Sequence, residues 1–469
     1  MNILQFLVMF LQCRERTDSR TENMNKESLW LCALVILLAS CSKDVTQEDT
    51  YLDAKLKKAV EQISETNSLS YYVLPSEDDL DNIPQDPKNP LTREKVELGK
   101  MLFYETGFGA DAKFQSGMGT YACVSCHIPA AGFRPGSAQG IADGGIGFGR
   151  NGEMRVKNSE YDEADLDVQS ARPLSLVNVA YVTNTFWNGQ FGGSGVNVGT
   201  EDVWPLDHST EANELGFAGI ETQNFEGLQV HRYRVDEEII DELGYRDMFD
   251  AGLPDLEEDD RYSLLGASLA ISAYIRTILS NQAPFQDWLK GNQGAMSNAE
   301  KEGALVFFGK ARCTNCHFRQ NLGSLEFHAL GVKDMYQRPS YNAFPDDKRN
   351  LGRAGFTLRD EDMFAFKVPQ LYNLTDANFF FHGSSKNTLT EVIDYKIEAV
   401  SENPNVPNEM LSDKFKPINL TAEERENLIL FLSNSLRDPE LERYQPYELR
   451  SGNCFPNNDE QSKVDLGCN

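Results

Sequence analysis

The chain has 469 residues, 40% hydrophobic and 25% charged, with a formal charge of −28 at neutral pH. That length has room for two or three compact domains, and the composition excludes wholesale disorder. So acidic a surface repels phosphate and excludes nucleic acid as a partner, while it attracts basic proteins and keeps a secreted chain soluble.

The first element is an export signal. Residues 29–40 form an apolar run preceded by Lys26 and followed by Cys41, shorter than the ~20 residues a bilayer requires. Leu38-Ala39-Ser40-Cys41 resembles a bacterial lipobox. Residues 1–41 therefore read as a signal peptide, with the true start at Met24 and a lipid anchor on Cys41. Residues 42–88, polar, acidic and proline-bearing towards the end, are expected to be a tether and a loose lead-in segment.

Thr92 then caps a predicted helix, TREKVELGKMLFYE, that leads into Cys123-Val-Ser-Cys126-His127. Residues 131–235 read as a long irregular stretch, followed by helices over 236–250 and 261–280. Residues 281–294 read as an inter-domain connection. Ser297 and Glu300 form a capping box ahead of a helix that runs into Cys313-Thr-Asn-Cys316-His317. Thr388 with Glu391 and Thr421 with Glu424 repeat the box before helices at 389–400 and 422–435. Cys454 and Cys468 remain, close together in an exported chain, and are expected to form a disulfide.

Each CxxCH carries specific chemistry. Two thiols two residues apart reach the two vinyl groups of one haem, and the adjacent histidine ligates its iron. A zinc ribbon is the bland alternative, but it would leave His127 and His317 idle. The chain thus reads as carrying two covalent haem c groups. Only His208, His231, His328 and His382 remain to supply further imidazoles, and none follows closely after His127. One haem is expected to keep an open face, which suits peroxide or oxygen chemistry.

From about residue 90 to 437 the blocks LGKMLFYE, CVSCHIP, RPLSLVNVAYVTNTFWNG, APFQDWLKG, FKVPQLYNL and FFFHGSSKNTLTEVIDY resemble the bacterial di-haem cytochrome c peroxidases and their relative MauG. The resemblance implies a mainly α fold of two cytochrome c-like domains with long loops, the haems facing the domain interface. The domains would be 89–285, with a peroxidatic haem on Cys123, Cys126 and His127, and 286–469, with an electron-transfer haem on Cys313, Cys316 and His317. It implies reduction of hydrogen peroxide in the periplasm or cell envelope by a small donor, a cytochrome c or a cupredoxin. The membrane would be touched only through the lipid. Family members are often dimers, which leaves a homodimer open.

Trp187 matches the tryptophan between the haems, and Gln223 the distal glutamine. The family's catalytic glutamate is missing at its expected place, so His231 is the favoured acid–base group, with Glu221 or Glu226 as alternatives. No removable histidine ligand follows the first motif, so an enzyme active without reductive pre-activation is expected. The distal ligand of the second haem is Met in the peroxidases and Tyr in MauG. Here its place falls on Tyr395 or Lys396, with Met410 nearby; Tyr395 is favoured. Arg172 stands where the family's calcium site has an asparagine, and a guanidinium there disfavours the cation, which leaves calcium open. The rival functions are oxidation of side chains on a partner protein, as in MauG, and a non-catalytic di-haem carrier.

Overall fold

The computed structural model describes residues 47–468, with side chains from residue 50. The signal segment 1–41, Met24 and Cys41 lie outside the described residues. The helices that position the site, in chain order, are α1 (Gln47–Ile63), α2 (Arg93–Tyr104), α3 (Gly219–Val230), α4 (Leu264–Arg276), α5 (Pro284–Leu289), α6 (Asn298–Phe307), α7 (Leu389–Glu398) and α8 (Ala422–Leu430). Among the described residues strand is confined to two short antiparallel ribbons, β1 (Gly145–Ile146) with β2 (Val156–Lys157) and β3 (Phe327–His328) with β4 (Phe366–Lys367). The chain is mainly α, as read. From Leu52 onward it forms one compact unit. Among the described residues no helix is long and apolar enough to cross a membrane.

The helix starts follow from their caps. Thr92 Oγ1 accepts from Lys95 N, and both halves of the reciprocal box form at Ser297/Glu300 and Thr421/Glu424. At Thr388 only the threonine half forms, because the Glu391 carboxylate accepts from Asn387 N instead.

One packing device occurs twice. α2 crosses α4 so closely that a Cβ on Gly99 would lie 1.8 Å from the Ala270 carbonyl oxygen. α6 crosses α8 in the same way, with Gly303 1.8 Å from the Asn427 oxygen. Only a residue without a side chain fits either crossing. Behind each glycine comes a buried run, Leu102-Phe103-Tyr104 and Val306-Phe307-Phe308, which leads the chain to its CxxCH.

Three expectations are corrected. The tether assigned to 42–88 contains α1, whose acidic composition hides an inward stripe of Asp53, Leu56 and Val60. Asp53 accepts from the Trp288 indole at 2.7 Å and pairs with Lys301 at 2.9 Å. The connection assigned to 281–294 contains α5, with Pro284 in its first turn and Phe285 and Trp288 fully buried. The irregular stretch 131–235 contains α3, concealed by its two glycines.

The two ends of the described chain cross over. The segment after α1 reaches the second motif, where the Tyr72 hydroxyl donates to Phe318 O at 2.8 Å. Residues 454–468, closed by the expected Cys454–Cys468 disulfide, lie against the first. Ser125 donates to Pro456 O at 3.1 Å, Arg155 pairs with Asp459 at 3.3 Å, and Asp465 accepts from Phe148 N and Gly149 N.

Candidate functional site: two haem-binding motifs and a cavity at the first

Each CxxCH forms a tight 3₁₀ turn, Cys123–Ser125 and Cys313–Asn315, and all four thiols are free. His127 Nδ1 donates to Phe133 O at 3.1 Å, and His317 Nδ1 donates to Leu322 O at 2.8 Å. Both acceptor residues adopt the left-handed conformation, at φ 53° and 52°, which turns their carbonyls back onto the rings. With Nδ1 held as a donor, Nε2 is left as the lone-pair nitrogen for iron. Burial lowers both imidazole pKa values to about 4, so both rings are neutral, as a ligand must be.

A cavity of about 550 Å³, within the usual range of ligand sites, runs from Cys123, Cys126 and His127 past Trp187 to Lys367 and Phe381. Its wall carries three buried cations that form no ion pair among the described residues. Arg134, Arg172 and Lys367 are all at least nine-tenths buried. Arg134 Nε and Lys367 Nζ have no hydrogen-bond partner. Burial pulls Lys367 down to about 7, helped by Arg319 and Arg353, and Arg172 to about 9, helped by Arg134 and Arg338. Unpaired buried cations are costly, and carboxylates on a ligand remove that cost. Haem, with two propionates, fits both the thiol–imidazole motifs and this wall.

The C-terminus of α3 carries the acid–base candidates. Arg232, at φ 58°, turns the chain so that three consecutive side chains are fixed. His231 meets Asp167, Nδ1 to Oδ2 at 2.7 Å; Arg232 pairs with Asp143; and the Tyr233 hydroxyl lies 3.8 Å from Cys123 Sγ. Asp167 is itself pinned by backbone bonds to Ala142 and Asp143, both 3.0 Å. Burial disfavours the charged imidazole, but the Asp167 carboxylate outweighs it and raises the His231 pKa. His231, Gln223 and Glu226 all line the cavity. The Gln223 amide makes no hydrogen bond among the described residues, and burial raises the Glu226 pKa.

Glu221 is elsewhere. Its carboxylate is fully buried against the Arg276 guanidinium, at 2.7 and 3.0 Å, and accepts from Asn89. It holds α3 to α4 and does not line the cavity, so its candidacy as an acid–base group is corrected. His208 is exposed and paired with Glu211, and His328 pairs with Glu326.

Trp187 sits on the cavity wall. Its indole donates to Arg172 O at 2.7 Å, its carbonyl accepts from Lys367 N at 2.7 Å, and its ring meets His382 edge-on at 6.2 Å. His382 is held by Asp334 at 2.8 Å and stacks on Phe366 at 3.6 Å. The Arg172 guanidinium donates to four backbone carbonyls, of Pro135, Ser137, Ala138 and Asn378. Carbonyl oxygens are what a calcium ion takes, and here a resident cation already holds them.

On α7, the Tyr395 hydroxyl donates to Leu330 O at 2.5 Å. The Lys396 ammonium lies against the Phe381 and Phe415 rings, and burial pulls it down to about 8 despite the nearby Cys316 and Cys313. Met410 is 39% exposed.

Residues 93–294 match the family profile of the di-haem cytochrome c peroxidases. Over that stretch the chain is similar to the di-haem cytochrome c peroxidase and MauG family. It is 27% identical over 371 residues to cytochrome-c peroxidase IdrP1 of Denitromonas iodatirespirans, covering 75% of this chain and 83% of the relative. To the methylamine utilization protein MauG of Methylorubrum extorquens it is 24% identical, covering 76% and 83%. A solved MauG-like protein associated with microbial copper homeostasis shares the fold, with a TM-score of 0.53 at 24% identity over 78% of this chain and 95% of that one. The family is one of haem c oxidoreductases.

Asp167, Arg134 and Lys367 escaped the sequence reading. Asp167 lies 64 positions from its histidine. An FKVP lysine gives no sign of burial until the cavity around it is seen.

Proposed function

We propose that the protein reduces hydrogen peroxide to water at the first haem motif, with two electrons from a small periplasmic donor, a cytochrome c or cupredoxin, entering through the second. The observation that carries this reading is the His231–Asp167 pair in the cavity that His127 also lines. When bound, haem supplies the iron that takes a peroxide oxygen and the redox equivalents that break the O–O bond. The chain's own side chains manage the protons. Asp167 fixes the His231 Nδ1–H, leaving Nε2 to take a proton from one peroxide oxygen and return it to the other. The free Gln223 amide orients peroxide or water by hydrogen bonding. Trp187, an oxidisable indole held at both its N–H and its carbonyl, lies on the route between the motifs.

The enclosing assignments are part of the same reading: haem domains meeting near residues 285–286, a periplasmic or envelope location, a lipid on Cys41, and a homodimer. The test is electron paramagnetic resonance and optical spectroscopy of the fully oxidised protein, before and after one equivalent of peroxide. A high-spin ferric haem that reacts without added reductant is expected. Two low-spin haems that stay inert to peroxide even after half-reduction overturn the reading.

A second reading, oxidation of side chains on a partner protein, is favoured by the exposure of Met410, since a thioether ligand marks the peroxidases. Peroxide-dependent mass changes on an exported partner, absent in Trp187→Phe, would support it.

A further inference from the structure

The cavity meets solvent where side chains that line it are themselves exposed. Lys348 and Asp207 line it with side chains 53% and 27% exposed, whereas Arg134, Arg172 and Lys367 on its inner wall are buried. Lys348 Nζ and Asp207 Oδ2 form an ion pair, which joins two segments far apart in the sequence across the rim. Asp207 uses its other oxygen within its own segment, accepting from Ser209 N at 2.9 Å and Ser209 Oγ at 2.8 Å. Ser209 Oγ in turn accepts from Gln190 Nε2 at 3.3 Å.

The facing segment is pinned as well. Asp347 accepts from Ser170 Oγ at 2.5 Å, and Arg349 donates to Gln169 Oε1 at 3.3 Å. Behind the pair the buried Arg353 guanidinium donates to Asn188 O, Val196 O and Asn197 Oδ1 at 3.0, 2.8 and 3.0 Å, and Trp204 clusters with Phe356. Widening the rim therefore breaks several hydrogen bonds at once. Gln169 and Ser170 follow Asp167, the partner of His231, by two and three residues. One stretch of chain thus fixes both the rim and the acid–base pair, and keeps them within about 10 Å along the backbone.

Charge makes such a rim a filter. A molecule that passes displaces water from an ammonium and a carboxylate, which costs free energy unless the newcomer hydrogen-bonds to them. Hydrogen peroxide offers a donor and acceptors at both ends. An alkyl hydroperoxide presents a hydrocarbon body that compensates neither group. We propose that the Asp207–Lys348 pair is the entrance to the cavity at the first motif and the specificity-determining contact of that site, admitting hydrogen peroxide and excluding apolar alkyl hydroperoxides. The proposal rests on the peroxide reading for its substrate, while the filter itself acts on any ligand that enters.

Two measurements on the holoprotein test it. The first needs no turnover: the stopped-flow association rates of methyl and tert-butyl isocyanide with the reduced protein, which share a ligating group and differ in apolar bulk. The tert-butyl compound should enter wild type more slowly. Lys348→Ala should narrow that ratio about fivefold, the scale of one partly exposed ion pair, and Lys348→Arg, which keeps the pair, should hold the wild-type ratio. The second is kcat/KM, where the preference for hydrogen peroxide over cumene hydroperoxide should fall by the same factor in Lys348→Ala. An isocyanide ratio unchanged by Lys348→Ala overturns the proposal, as does a protein that binds neither isocyanide. So does a ratio narrowed by Val230→Ala instead, because Val230, 46% exposed, also lines the cavity where it nears the surface. Isocyanide selectivity that responds to Lys348→Ala in a protein that turns over no hydroperoxide would count against the peroxide reading and leave the entrance standing.

Discussion

Asp167 Oδ2 lies 2.7 Å from His231 Nδ1, and the two residues are held there from opposite sides, Asp167 by the backbone of 142–143 and His231 by the end of α3. This carboxylate fixes both the tautomer and the basicity of the imidazole. His231→Ala should lower peroxide turnover by about 10²–10⁴ with both haems retained. Unchanged turnover would point to Glu226, the remaining carboxyl on the cavity wall.

The pair also sets a pH dependence. His231 accepts a proton only when neutral, and Asp167 raises its pKa. Turnover should therefore fall as pH drops through that raised value. Asp167→Asn removes the charge that favours the imidazolium, so the acid limb of kcat/KM should move to lower pH even as the maximal rate falls. A limb that stays in place, or moves upward, removes His231 from the proton path.

Glu221→Gln separates structure from chemistry. Removing one member of a fully buried ion pair costs about 3–5 kcal/mol, and Arg276 has no second carboxylate. Chemical denaturation should show that loss, while the peroxide rate per folded, haem-loaded molecule stays near wild type. A stable but inactive variant would return Glu221 to the catalytic list.

Arg172 predicts indifference to chelators. Its guanidinium already sits on four carbonyl oxygens, so exhaustive treatment with a calcium chelator should change neither Tm nor turnover. A fall in either that added calcium restores would show that the cation binds after all.

Gly99→Ala and Gly303→Ala should each cost about 3 kcal/mol, because the new methyl meets a backbone carbonyl that cannot move without its helix. Denaturant midpoints measure this directly. A cost at only one of the two positions would mean that the matching crossings are not equivalent in energy.

What could be read from the sequence was what chemistry or capping fixes locally. The CxxCH turns, the Thr92, Ser297 and Thr421 caps and the Cys454–Cys468 bridge each depend on residues a few positions apart. Pattern failed where a helix carries little amphipathic contrast. α1 buries a charged residue, Asp53, on its inward face, so its stripe reads as polar. α5 begins with a proline that looks like a breaker but needs no N–H in the first turn. At the site, His231 was legible because histidines are scarce. Asp167 was not, because acids are abundant in this chain and only the fold selects one. Glu221 was misread because spacing along α3 cannot say which carboxylate faces Arg276 and which faces the cavity.

The crossed ends of the chain have a consequence for how the molecule is assembled. A polypeptide is synthesised N-terminus first. Tyr72 is already present when Phe318 arrives, 246 positions later, so the second motif can be roofed as soon as it appears. Ser125 must wait 331 positions for Pro456. The motif that emerges first is the one enclosed last, which leaves its two thiols open to haem attachment for longest. Translation errors or proteolysis beyond about residue 450 should thus yield molecules loaded at the second site and defective at the first.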